Sequence, residues 1–100
     1  MIIFTSSHHS YANEVINYLD PDGTLISHRF FRDKCSMTTQ SVYIKDLRIF
    51  ADRNLKDVVL IDNASYSFGN LVSNGIPIIP FYFRKDDIEL KYLLPYLKEL

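Results

Sequence analysis

Two short runs of this chain, Met1-Ile2-Ile3-Phe4 and Val58-Val59-Leu60-Ile61, are apolar at every position. A strand that is apolar on both faces needs cover on both, which a parallel sheet flanked by helices provides and a water-exposed hairpin does not. Each run stops abruptly, the first at Thr5-Ser6-Ser7 and the second at Asp62-Asn63. After the first, Tyr11, Ala12, Val15, Ile16 and Leu19 fall at helical spacing, with Ser6 or Ser7 placed to cap the helix and Asp20-Pro21-Asp22-Gly23 to stop it. Ile26 to Arg32 alternates as a further strand, and Ile76 to Phe83 as another that Pro77 and Pro80 confine to an edge or an irregular end. Residues 33 to 41 are polar, a short helix is expected to begin at Lys45-Asp46-Leu47, and Asn70 to Gly75 reads as a loop. A last helix is predicted from the capping pair Asp86 and Glu89 and the stripe Leu90, Leu93, Leu94 and Leu97, with a break before Pro95. Strands separated by helical segments, without a hairpin dipeptide, predict an α/β fold with a mainly parallel sheet.

Composition narrows the function classes. The 11 basic and 12 acidic side chains are intermixed, for a net charge of −1, so no stripe tracks a phosphate backbone or an anionic membrane and direct nucleic-acid binding is not expected. No apolar run approaches the roughly 20 residues of a spanning helix, and Met1 to Phe4 lacks the basic leader of a signal peptide. The single cysteine, Cys35, allows no internal disulfide and fits a reducing compartment. With 100 residues, 47% of them hydrophobic, one small domain is expected.

In parallel α/β sheets, ligands bind beyond the carboxyl ends of the strands, so Thr5 to Ser7 and Asp62-Asn63 are the places to look for chemistry. Thr5 to Ser7 would offer hydroxyls and N–H groups to an oxyanion, or simply cap a helix. Asp62 and Asn63 are hard oxygen donors suited to Mg²⁺, or an Asx turn. Lys45 could neutralise a phosphoryl group, or be one more solvated lysine. His8 and His9 are adjacent and so point to different sides of a helix, which suits surface or capping roles. His28 and Cys35 lack the spacing of a zinc site and read as structural. Asp20-Pro21-Asp22-Gly23-Thr24 copies the D-x-D-G-T pattern of aspartate-nucleophile phosphatases. The helical periodicity of Glu14 to Leu19 places it in a turn, where a nucleophile would not be rigidly aimed.

Five segments together resemble a known family. Phe4-Thr5-Ser6-Ser7 with Tyr11-Ala12 is similar to F-T-A-S…Y-A, Phe31 to Cys35 to F-R-E-x-C, Tyr43 to Leu47 to Y-V-K-D-L, Leu60 to Asn63 to I-L-D-N, and Asn74 to Ile78 to N-G-I-P-V. In that order they resemble the small C-terminal-domain phosphatases and NLI-interacting-factor-like phosphatases of the haloacid dehalogenase superfamily. The resemblance implies a Rossmann-like, mainly parallel sheet with flanking helices, and a Mg²⁺-dependent phosphatase acting on phosphoserine or phosphothreonine in proteins. It assigns Thr5 to hold the phosphoryl group, Lys45 to offset its charge, Asn63 to ligate Mg²⁺ and Asp62 to support both the ion and Lys45. Arg32 and Tyr11 would line the substrate cleft. The family's Ser-Pro after Asp-Asn is Ala64-Ser65 here.

The resemblance also implies a deficit. The family's D-L-D-E-T motif, which carries the nucleophile and the general acid, lies before its F-T-A-S strand, so the domain is expected to be incomplete at its N-terminus and inactive as these residues alone. Its unpaired sheet edges would favour self-association or complementation. The alternative is a non-enzymatic module of the same fold, either a phosphopeptide reader or a scaffold akin to a mitochondrial import receptor. The resemblance places the chain inside the cell, in nucleus or cytoplasm, with mitochondria left open.

Overall fold

The computed structural model describes all residues, Met1–Leu100. The first apolar run forms strand β1 (Ile2–Phe4), followed by helix α1 (His9–Leu19) and strand β2 (His28–Phe30). β2 lies parallel to β1, with Ile3 opposite Arg29. The helix does not begin at Ser6 or Ser7. Thr5 Oγ1 accepts from the Ser7 N–H at 3.1 Å, Arg32 N donates to Ser7 O and Arg32 Nε to Ser6 O. These bonds hold both serines outside the helix, and His8 becomes the cap, its ring accepting from Ser10 N. Of the expected apolar stripe, Ala12 and Ile16 are buried against Ile26, Ile3 and Phe31, whereas Tyr11, Val15 and Leu19 stay exposed.

Asp20 ends α1 as a turn organiser. Its buried carboxylate accepts from the backbone N–H groups of Thr24, Leu25 and Ile26, so the D-x-D-G-T lookalike sits in a helix-to-strand turn. The Ile26 N–H, helped by those of Leu25 and Thr24, holds this carboxyl below its ordinary value of 3.8. A carboxyl lowered by folding contributes stability above the ordinary value and loses it as pH falls through the lowered one. Asp20→Asn is therefore expected to melt at a lower temperature than the parent at pH 7. It should also lose less stability between pH 4 and pH 2, as read by thermal melts across that range.

The polar stretch after β2 holds a feature absent from the sequence reading. β3 (Ser36–Met37) and β4 (Tyr43–Ile44) form an antiparallel hairpin, closed without glycine. Thr38 Oγ1 accepts from Gln40 N and Val42 N, and Ser41 takes a φ of 62°. Past Lys45, the expected helix is a single 3₁₀ turn, Leu47–Ile49, capped by Asp46.

The second apolar run ends in β5 (Leu60–Asp62), parallel to β6 (Gly75–Pro77). The expected strand to Phe83 stops at Pro77 because Pro77 and Pro80 lack the N–H a ladder needs. Leu60 packs with Leu47 and Phe68 in a second core cluster, bordered by Phe50, Leu55, Val58 and Leu71. Asn74 ties the loop before β6 to the chain entering β5, its side-chain NH₂ donating to Leu55 O and Val58 O. The last helix, α2 (Glu89–Glu99), runs through Pro95 without a break. Its first N–H is met by Asp87 instead of Asp86, whose carboxylate is paired with Arg84. None of its leucines is buried, so the expected core stripe is largely open to solvent.

The architecture is thus mixed α/β with two small parallel sheets and one hairpin in place of a single mainly parallel sheet. No helix is long and apolar enough to cross a membrane.

Candidate functional site

The polar residues that follow β1, β4 and β5 meet around one cavity of about 550 Å³. Thr5, Lys45, Asp62 and Asn63 are all on its wall, which brings together four of the six residues singled out from sequence. Each is aimed by backbone. Lys45 follows β4, where its N–H donates to Ser67 O at 2.9 Å, and its Nζ lies 2.5 Å from Asp62 Oδ2. Asp62 closes β5, and its Oδ1 accepts from Ala64 N at 2.9 Å. That is an Asx turn, so here the turn and the charged site are the same residue. The pair is well shielded, with side chains 14% and 6% exposed.

Thr5 Oγ1 accepts the Ser7 N–H, which leaves the hydroxyl proton free to donate into the cavity. Ser6, Ser41 and Ser67 add hydroxyl-bearing residues to the wall, and Tyr43 and Tyr66 add aromatic ones. A fixed ammonium, several hydroxyls and an amide suit an oxyanion, because donors placed in advance need not reorganise when charge arrives.

Arg32 and Tyr11 are not on this wall. Arg32 is an exposed residue that touches the wall residues: Nε donates to Ser6 O at 2.8 Å and the guanidinium lies 5.4 Å from the centre of the Tyr43 ring. It braces two wall segments. Tyr11 is on α1 and 67% exposed. Ser41, Tyr43 and Tyr66 are wall residues not expected from the sequence; Tyr43 was within reach of inference, on the short strand β4 that leads into Lys45.

Cys35 lies behind Thr5, its Sγ 3.8 Å from Thr5 O. Burial pushes its thiol up, which keeps it protonated and unreactive near neutral pH. Its part here is packing. The Arg48 side chain, hydrogen-bonded to Asp46, holds that carboxyl below the usual range, on an exposed turn next to the site. No group of three or more His, Cys, Asp or Glu side chains is placed to hold a metal ion.

Comparison with known proteins bears on all 100 residues. The family model for NLI interacting factor-like phosphatase matches residues 1–100. The chain is 44% identical over 100 residues to CTD small phosphatase-like protein 2 of Dictyostelium discoideum, covering all of this chain and 17% of that protein. It is 38% identical to CTD small phosphatase-like protein 3 of Caenorhabditis elegans, covering all of this chain and 34% of the relative. To CTD nuclear envelope phosphatase 1B of Danio rerio it is 33% identical, with the same full coverage of this chain and 40% of the relative. The chain therefore spans less than half the length of these relatives.

Proposed function

The chain belongs to the NLI interacting factor-like phosphatase family, and from that membership we propose that its cavity binds the phosphate of phosphoserine or phosphothreonine in a protein substrate. The observation that carries this reading is the convergence of Thr5, Lys45, Asp62 and Asn63 on one cavity. Lys45 would offset the phosphate charge while keeping one of its three protons on Asp62, and the Thr5 hydroxyl would donate to a phosphate oxygen. Phosphoryl transfer depends mainly on such charge stabilisation and positioning.

Asn63, exposed at the rim, and Asp62 are hard oxygen donors that fit Mg²⁺ in kind. They are few, with one carboxylate among them, so the ion would take its other oxygens from water and from the substrate. When bound, it would add positive charge beside the phosphate. We further propose that these residues alone bind phosphate without turning it over. Asp62 is the one carboxylate on the wall, and its two oxygens already accept from Lys45 and Ala64 N, so that wall offers no unengaged carboxylate to attack phosphorus. The two parallel pairs are read as parts of a Rossmann-like, haloacid dehalogenase-like sheet. Relatives named as nuclear envelope phosphatases support an intracellular setting associated with the nucleus.

Calorimetry with a phosphoserine peptide and Mg²⁺ tests this. Binding heat should require the phosphate, and Thr5→Val should weaken binding about tenfold or more, as expected for one hydrogen bond to a charged group. Aryl phosphate should not be turned over. Heat that is indifferent to the phosphate would sink the reading. Turnover that disappears in Asp20→Asn would show that the turn aspartate is the nucleophile after all.

A further inference from the structure

Asn74 is the one asparagine of the chain followed by glycine, and the fold requires each of the two residues for its own reason. Asn74 closes the 3₁₀ turn Val72–Asn74, and Gly75 opens β6. The Asn74 Nδ2 donates to Leu55 O at 2.6 Å and to Val58 O at 2.9 Å. Two carbonyl oxygens need a group with two N–H donors, which a side-chain amide supplies and a carboxylate does not. Gly75 is required by contact, because a Cβ there would run into the Phe68 ring.

Together the two residues make a labile pair. With no side chain on Gly75, nothing shields its nitrogen from the Asn74 side-chain carbon. In an open chain the Gly75 nitrogen gives its proton to water and bonds to Asn74 Cγ; the bond from Cγ to Nδ2 breaks, ammonia leaves, and a succinimide ring closes. Water then opens the ring at either carbonyl, giving aspartate or isoaspartate. Nothing is oxidised or reduced, and water is the co-reactant throughout. In the folded chain both nitrogens are engaged. Nδ2 is bonded to the two carbonyls, and the Gly75 N–H donates to Val72 O. Asn74 is only half-buried, so it is these bonds, and not exclusion of water, that hold the reaction back.

We propose that Asn74-Gly75 is a deamidation site gated by opening of the β5–β6 pair, and that the reaction makes the opening one-way. Each transient separation of the Val72–Asn74 turn from the chain entering β5 frees the amide for ring closure. Either product replaces the amide with a carboxylate that is ionised at neutral pH and cannot donate to Leu55 O or Val58 O, so both carbonyls lose their partner. Isoaspartate also lengthens the backbone just before Gly75, which lies opposite Leu60 in the ladder. The same pair carries Asp62, whose carbonyl accepts from Ile78 N, so the change falls on the strand that ends at the cavity. The inference stands on hydrogen bonds and amide chemistry, and it holds or fails apart from phosphate binding.

The test incubates the full chain in mildly alkaline buffer, with and without denaturing urea, and follows conversion of amide to acid by peptide mass spectrometry. Asn74 is expected to convert ahead of every other asparagine in urea, and at least about tenfold more slowly in buffer, where ring closure waits for local opening. Between these limits, its rate should rise with urea in step with hydrogen exchange of the Ile78 amide. Asn74→Asp carries the product from the start and should exchange Ile78 at least about tenfold faster than the parent. Should that variant not fold, the converted fraction of the parent, separated by its added charge, gives the same measurement. Conversion as fast in buffer as in urea would overturn the gating. Parent-like exchange at Ile78 in the converted chain would overturn the one-way step.

Discussion

Lys45→Met unfolds the chain at lower urea, by about 3–5 kcal/mol of stability, because it strands a shielded carboxylate. Asp62 is 6% exposed on its side chain, and one of its oxygens depends on Lys45. Methionine keeps most of the bulk of lysine and none of its charge, so packing is retained and the carboxylate is left without a counter-ion. A whole domain is typically stable by 5–15 kcal/mol, and a chain with nine buried residues has little reserve. A second change separates charge from shape. Asp62→Asn keeps an oxygen to accept the Ala64 N–H and removes the charge, so Lys45→Met with Asp62→Asn should recover about half or more of the loss. Urea unfolding of the two single variants and the double variant measures the coupling. Additive losses would mean that the ion pair is not what holds these elements together. Phosphate binding should vanish in every variant without Lys45, including the double variant in which folding is restored.

Gly75→Ala is expected to be the most damaging single methyl in the chain. A Cβ at Gly75 would lie 2.4 Å from the Phe68 ring atoms Cγ and Cδ2, far inside contact distance. The backbone at Gly75 has φ −97°, which any residue adopts, so the objection to alanine is purely steric. Phe68 is 5% exposed and packs with Leu47 and Leu60; it cannot swing aside without opening that cluster. Overpacking of this kind costs about 1–3 kcal/mol, and the upper end is expected where the obstructing ring is buried. Phe68→Leu shortens the obstruction, and the double variant should be more stable than the sum of the two single losses predicts. Thermal or urea unfolding of the three variants checks it; a Gly75→Ala chain as stable as the parent would show that the ring relaxes freely. The displacement should also reach the cavity, because Ser67, next to Phe68, holds the Lys45 backbone through its carbonyl.

The parts of this molecule that were legible in the sequence are those where one residue type admits one environment. Each wholly apolar run holds or leads into a parallel strand, Ile2–Phe4 and Leu60–Asp62, and polar residues at the strand ends became the cavity wall, because strand ends are where a sheet stops covering its own backbone. The role of Asp20 was legible for the opposite reason: the helix before it left no strand on which a nucleophile could sit. What escaped depended on contacts distant in sequence. The hairpin at Ser36 to Ile44 closes through the Thr38 hydroxyl and a left-handed Ser41, without the glycine that usually announces such a turn. The cap of α1 shifted to His8 because Arg32, 26 residues from Ser6, bonds its carbonyl. The stripe of α2 has the periodicity of a buried face, yet this chain covers it only in part, leaving Leu90 and Leu94 exposed. Periodicity reports what a helix can bury, and burial itself needs a second surface.

The rings of Phe30, on β2, and Phe50, which packs against the second core cluster, meet edge to face at 5.3 Å. Thr5 hangs from one side of this joint, while Lys45 and Asp62 hang from the other. An oxyanion held by Thr5 and Lys45 at once would act as a non-covalent cross-link between them, making the stiffness of the whole chain depend on the concentration of what it binds.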